Sequence, residues 1–246
     1  MTDILEMGRK ELLKLKVEAD PRPLKVKEVT HIATTLGAFW EYDYAAAGCG
    51  RVGKHALLKS GLHGNGFFVS RILLAHRNVL DMFSHQILLQ LQRADVPLPN
   101  YVGGVPTGAT ALAANIAENI LGVSKMFLEK IDGRIRPKRA VRDGATVLLV
   151  EDFCTRGTGF AEAVHEISEQ QPSVKILPYC PVIINRGGMR EISVKGVGAF
   201  TILAVAEKRI WDWTPGNCPL CGLGSVAIRP KETDENWRLL TTSQLE

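Results

Sequence analysis

Two carboxylates, Glu151 and Asp152, follow four apolar residues and precede a small, polar, glycine-rich run in "VLLVEDFCTRGTGF", residues 147–160. Like charges a few ångströms apart repel, so a cup built only for phosphate should avoid acids. An acid pair beside such a loop suits a ligand that adds hydroxyls or a divalent cation to its phosphate, and a sugar phosphate meets both demands. The alternative is that the acids only cap the loop. Thr155, Arg156, Gly157, Thr158 and Gly159 supply the anion side. Backbone N–H groups at a helix start are unpaired and converge on an anion placed there.

The elements that must hold these residues can be read around them. The four apolar residues do not alternate with polar ones, as in a parallel strand covered on both faces. After the loop, "FAEAVHEISEQ" sets Phe160, Ala163, Val164 and Ile167 on one helical face. Strand-like "GFFVSRILL", "NYVGGV", "SKMFLEKI", "VKILPYCPVII" and "AFTILAVAEK" are interspersed with the helical "NVLDMFSHQILLQLQRA" and "TGATALAANIAENILG". This pattern predicts an α/β fold with a mostly parallel, doubly wound sheet, whose ligands bind at the carboxyl ends of the strands. Helical period also covers residues 3–17 and 27–47, and the chain from about residue 207 reads as a separate cap or tail.

With 246 residues, 46% hydrophobic and 23% charged, the chain can bury one large core with or without a small subdomain. A net charge of +4 does not call for a nucleic-acid partner. No apolar run approaches a membrane span, and the N-terminus lacks the apolar stretch of a signal peptide. Five cysteines, an odd number, argue against a disulfide framework and for a cytoplasmic setting.

Three other motifs compete for attention. "GCGRVG", residues 48–53, is a literal GxGxxG, but it has neither a strand before it nor a long helix behind it, and it reads as a turn-rich connector. Cys218 and Cys221 in "NCPLCGLG" have zinc-knuckle spacing without a second pair nearby. They are half of a metal site or a tight structural turn, and no residue is assigned as a protein ligand to metal. "GRIRPKRAVRDG" holds Arg134, Arg136, Lys138, Arg139 and Arg142 directly before the acid-bearing strand. Gly133 and Pro137 are expected to keep this run irregular, either as a solvated loop or as a mobile basic loop able to fold over an anion site.

The segment "VLLVEDFCTRGTG" resembles the phosphoribosyl pyrophosphate (PRPP) signature of type I phosphoribosyltransferases. "HALLKSGLHGNGFFVSR", residues 55–71, "GGVPTGATALA", residues 103–113, and the tail "CPLCGLGSVAIRPK" are similar to segments of the orotate enzymes of that family, in the family's order. The resemblance implies a type I phosphoribosyltransferase fold with a small hood subdomain: residues 1–54 as a helical or hood segment, 55–206 as the core and 207–246 as the cap. It implies that Glu151 and Asp152 hold the ribose hydroxyls of PRPP and that Thr155, Arg156, Gly157, Thr158 and Gly159 cradle its 5′-phosphate. Val105, Pro106, Thr107 and Gly108 would bind pyrophosphate, often through a strained peptide. Ser60, Gly61 and His63 would border the base pocket, and Lys130 with the basic run would form a flexible lid. Asp152 and Lys130 are the expected catalytic residues. Mg²⁺ would arrive chelated by pyrophosphate and ribose hydroxyls, and lids completed by a neighbouring subunit imply a homodimer.

The expected reaction is transfer of the phosphoribosyl group of PRPP to a nucleobase, orotate first, with pyrophosphate released and neither nucleic acid nor membrane as partner. The family's second loop threonine is Arg156 here, its terminal serine or threonine is Gly159, and the lid lacks the Lys-x-His-Gly element. These departures leave two alternatives: a transferase for another base, or a PRPP- or nucleotide-sensing regulator on the same fold that has lost catalysis.

Overall fold

The computed structural model describes residues 3–17 and 22–245. The chain opens with a 3₁₀ turn, Ile4–Glu6, then α1 (Arg9–Leu12) and α2 (Val26–Thr35). Strand β1 (Phe39–Glu41) and α3 (Tyr44–Gly48) lead to β2 (Lys54–Leu57), β3 (His63–Gly64) and β4 (Gly66–Phe68). The single helix expected over 27–47 is therefore interrupted. Gly37 takes a positive φ of 75°, and β1 then pairs antiparallel with β4. In the same way "GFFVSRILL" is strand only to Phe68, after which the chain coils into α4 (Ser70–Leu73) and the long α5 (Arg77–Arg93).

Next come β5 (Tyr101–Gly104), α6 (Thr110–Glu118), β6 (Ser124–Met126), β7 (Leu128–Ile131), β8 (Arg134–Pro137) and β9 (Thr146–Cys154). Helix α7 (Thr158–Gln170) is followed by β10 (Lys175–Ile176), β11 (Tyr179–Asn185), β12 (Glu191–Val194) and β13 (Gly198–Glu207). The chain closes with β14 (Asp212–Trp213), α8 (Pro219–Gly222), β15 (Val226–Ile228) and α9 (Asp234–Thr242).

The central sheet has the order β12-β13-β11-β9-β5-β6, with β10 also on β9. Every pairing in it is parallel except β12 with β13. Val147, Leu148, Leu149 and Val150 are fully buried, as their unbroken apolar run demands. On one face Leu148 and Val150 join α2, α5 and α6 through Ile32, Phe83 and Leu112; on the other, Val147 and Leu149 meet Phe160, Ala163, Val164 and Ile167 of α7. The N-terminal helices thus belong to the main core.

The first part of the basic run is regular, whereas Lys138, Arg139 and Arg142 follow outside any strand or helix. β7 and β8 form an antiparallel hairpin whose turn, Asp132-Gly133, has positive φ at both residues (49° and 83°). An Asp-Gly pair is the favoured two-residue hairpin turn, and that signal outweighed Pro137, which closes the short strand. The segment beyond 207 is likewise no detached cap. A second sheet, β14-β3-β2-β15, combines strands from both halves of the chain, with β15 running parallel to β2 in the register Val226↔Lys54 to Ile228↔Ala56. "GCGRVG" is a connector between α3 and β2, and a Cβ at Gly53 would stand 2.3 Å from Gln244.

Candidate active site

The acid pair lies within β9, which continues to Cys154, and alternation along the strand sends the two side chains to different sides. Glu151 and Phe153 line a cavity of about 600 Å³ that is floored by Thr155, Arg156, Gly157, Thr158 and Gly159 and walled by Ser60, Phe67, Arg186, Asp212 and Lys231. Asp152 lines an adjoining hollow of about 470 Å³ with Pro106, Thr107, Gly108, Ser70, Arg71 and Lys231. Lys231 borders both spaces. The whole assembly stands at the carboxyl ends of β5, β9 and β11, where a sheet of this type takes its ligands.

Glycine makes the close approaches possible. Gly157 caps α7 with φ 63°, and a Cβ there would lie 2.4 Å from Ile192. A Cβ on Gly108 would lie 2.0 Å from Asp152 Oδ2, so the 106–108 loop presses directly on the acid. The Pro106–Thr107 peptide of that loop is cis, and Val105 is buried beneath it. At Gly187 a Cβ would meet the Thr155 carbonyl oxygen at 1.8 Å, which locks the end of β11 onto the phosphate loop.

The electrostatics answer how acids can stand beside a phosphate cup. Burial, reinforced by Asp152 and opposed by Arg186, pushes the Glu151 carboxyl up to about 8. Glu151 therefore carries a proton at neutral pH, which removes its negative charge from beside the glycine-rich loop. Among the described residues, Oε2 of Glu151 and Nε of Arg186 have no hydrogen-bond partner, and both are sealed from solvent in the wall of the same cavity. Arg186 also donates to Thr155 Oγ1. Partial burial holds Lys231 below the ordinary lysine value, with Asp152 opposing, and its Nζ lies 5.5 Å from the Phe67 ring centroid. Arg156 does not fill the cup: its guanidinium turns to Asp212, at 3.1 and 3.3 Å.

Among the expected base-pocket residues, Ser60 lines the cavity and Gly61 forms the β2–β3 turn with φ 81°. His63 does not belong there. It is buried, its Nδ1 lies 3.0 Å from His55 Nε2, and both rings face Cys221, because a buried imidazole needs a partner and β2 supplies one. Lys130, expected over the site, faces Glu162 of α7 at 3.5 Å and lines neither space, since Ile135 anchors its hairpin in the core.

No family model matches the chain. Among curated proteins, it is 30% identical over 178 residues to an orotate phosphoribosyltransferase of Carboxydothermus hydrogenoformans, covering 72% of this chain and 88% of the relative. The chain belongs to the orotate phosphoribosyltransferase family. A Heliobacterium modesticaldum relative of the same name is 29% identical over the same shares. The solved orotate phosphoribosyltransferase from Aeropyrum pernix overlays with a TM-score of 0.53 at 18% identity, over 73% of this chain and 93% of that one. The fold is that of the type I phosphoribosyltransferases, an α/β architecture with a mostly parallel central sheet. Among the described residues no helix is long and apolar enough to cross a membrane.

Among the residues that line these spaces, Phe67, Arg186, Asp212 and Lys231 were not assigned from the sequence. Arg186 had a local signal, a basic residue just after a buried strand that could be expected beside β9. Lys231 had none, because only the pairing of β15 with β2 brings it to the cavity.

Proposed function

We propose that this protein transfers the 5-phosphoribosyl group of PRPP to orotate and releases pyrophosphate. The observation that carries the reading is the pair of adjoining spaces that share Lys231, one with a protonated Glu151 and a glycine-rich loop, the other with Asp152 and the 106–108 loop. They suit, in order, the 5′-phosphate on Thr155–Gly159, the ribose hydroxyls on Glu151 and Asp152, and pyrophosphate on Pro106–Gly108. Glu151 Oε2, without a partner among the described residues, would gain one if its carboxyl turned towards a ribose hydroxyl. The face of Phe67 beside Ser60 suits a planar base.

Orotate rather than another base is supported by the names of the relatives and by the cationic wall of Arg186 and Lys231, which would accept a carboxylate. A base nitrogen forms the bond to the anomeric carbon as the carbon–oxygen bond to pyrophosphate breaks, and pyrophosphate leaves with the electron pair. The chain contributes alignment of the two reactants, cations beside the leaving group and exclusion of water from a transition state with oxocarbenium character. Mg²⁺ fits the hard oxygen donors of this site, with Asp152 the side chain nearest to hand, and when bound it would neutralise leaving-group charge. The β7–β8 hairpin, anchored by Ile135 away from its own site, carries Lys130 and the exposed Arg134 and Arg136 and is the candidate lid for the site of a second copy in a homodimer.

The test is calorimetric titration with PRPP and Mg²⁺, followed by a pyrophosphate-release assay over orotate, uracil, adenine, guanine and hypoxanthine. Binding that Asp152→Asn weakens at least about tenfold, with turnover on orotate alone, is the expected result. Turnover on another base would reassign the acceptor. Binding without turnover on any base would identify a sensor.

A further inference from the structure

One cluster lies outside the substrate cavities and is used by none of the chemistry above. His55 of β2, His63 of β3, and Cys218 and Cys221 at α8 bring one ligand atom each to within 4.8 Å of one another. We propose that these four side chains form a structural Zn²⁺ site of Cys₂His₂ type, which staples the β2–β3 hairpin to the C-terminal segment.

Four of the six ligand-atom separations approach those of a tetrahedron. With zinc–nitrogen bonds of about 2.0 Å and zinc–sulfur bonds of about 2.3 Å, neighbouring ligand atoms should stand roughly 3.3–3.8 Å apart. His55 Nε2 lies 3.0 Å from His63 Nδ1, 3.6 Å from Cys221 Sγ and 3.7 Å from Cys218 Sγ, and Cys221 Sγ lies 3.3 Å from His63 Nδ1. Two nitrogens and two sulfurs in this arrangement match zinc rather than a cation that prefers oxygen.

The protonation pattern agrees. Ser225 Oγ has a single proton and donates it to the Gly53 carbonyl at 3.1 Å. It must therefore accept from His55 Nδ1, 2.9 Å away, and this leaves the lone pair of Nε2 directed at the two sulfurs and His63. A serine that fixes the far nitrogen is the support a metal-bound histidine requires. Three of the four residues are buried and Cys221 reaches the surface, so a metal has a route in. The CxxC that looked like half a site finds its other half about 160 residues earlier in the chain, on a β-hairpin instead of a second knuckle.

The site bears on the active site without touching substrate. His55 and His63 bracket the turn that brings Leu58, Lys59 and Ser60 to the cavity, and the strand after Cys221 leads to Lys231.

Full-length protein from zinc-supplemented cells is assayed for metal by plasma mass spectrometry, then stripped with a chelator and titrated with Co²⁺. About one zinc per chain is expected, with a thiolate-to-cobalt charge-transfer band and the intense visible bands of a tetrahedral site. Cys221→Ser, at the exposed end, should keep its circular dichroism spectrum and lose part of the charge-transfer band. Ser225→Ala, which removes no ligand, should weaken Co²⁺ about 10- to 100-fold. Zinc below about a tenth per chain with no charge-transfer band overturns the proposal. So does a cobalt spectrum that Cys221→Ser leaves unchanged.

Discussion

Glu151 is the residue at which stability and binding meet. Its folded-state value of about 8 lies above the ordinary 4.5, so between those limits the folded protein holds a proton that the unfolded chain has lost. The contribution is fully present below about pH 4.5 and is lost as pH rises towards 8. Urea midpoints measured across this window should therefore fall less for Glu151→Gln than for the wild type, and equal slopes would show that the carboxyl is ionised. Lys231 gives a different test. Placed at the junction of the two spaces, it should contribute to both phosphate groups of PRPP. Lys231→Ala is expected to reduce kcat/KM about 10²- to 10³-fold, the loss typical of one charge-stabilising donor, with little change in thermal midpoint because the residue belongs to no buried core cluster. A reduction below threefold would remove it from the site.

At the scale of elements, the site depends on glycine at three close approaches: Gly108 against the Asp152 carboxyl, Gly157 against the Ile192 side chain and Gly187 against the Thr155 carbonyl. Gly108→Ala should abolish PRPP binding by displacing Asp152, while circular dichroism and thermal midpoint, which depend on the buried sheet, change little. Retained affinity would mean that the loop has room to move. β9, its acids and the loop into α7 were legible in the sequence because they are contiguous: an apolar run, two acids and small residues state their own geometry. The β7–β8 hairpin was misread because Pro137 and the charges were weighed above the Asp132-Gly133 turn. His63 was placed at the base because the local segment looks alike, whereas its surroundings are set by Cys221, 158 residues away. Residues whose role is fixed by long-range pairing left no local pattern to read.

At the scale of the whole molecule, Gln244 ties the segment after α9 to the stretch between β1 and β2. Gln244, nearly buried, accepts from the Asp43 N–H at 2.9 Å and donates to the Asp43 and Arg51 carbonyls at 2.8 and 3.2 Å. Gln244→Ala leaves these groups unpaired beside Gly53 and should lower stability by about 1–3 kcal/mol in urea unfolding. PRPP affinity at low temperature should be unchanged, since none of these groups lines either space. The order in which parts of the site occur along the chain has a consequence for its synthesis. Every strand of the central sheet, together with the phosphate loop, precedes Asp212 and Lys231. A growing polypeptide thus carries every strand of that sheet before it carries the cation shared by both spaces. Chains ending at Glu207, released or carried clear of the ribosome by a linker, should resist protease through the sheet and still fail to retain PRPP, so that competence is conferred late, by the returning strand.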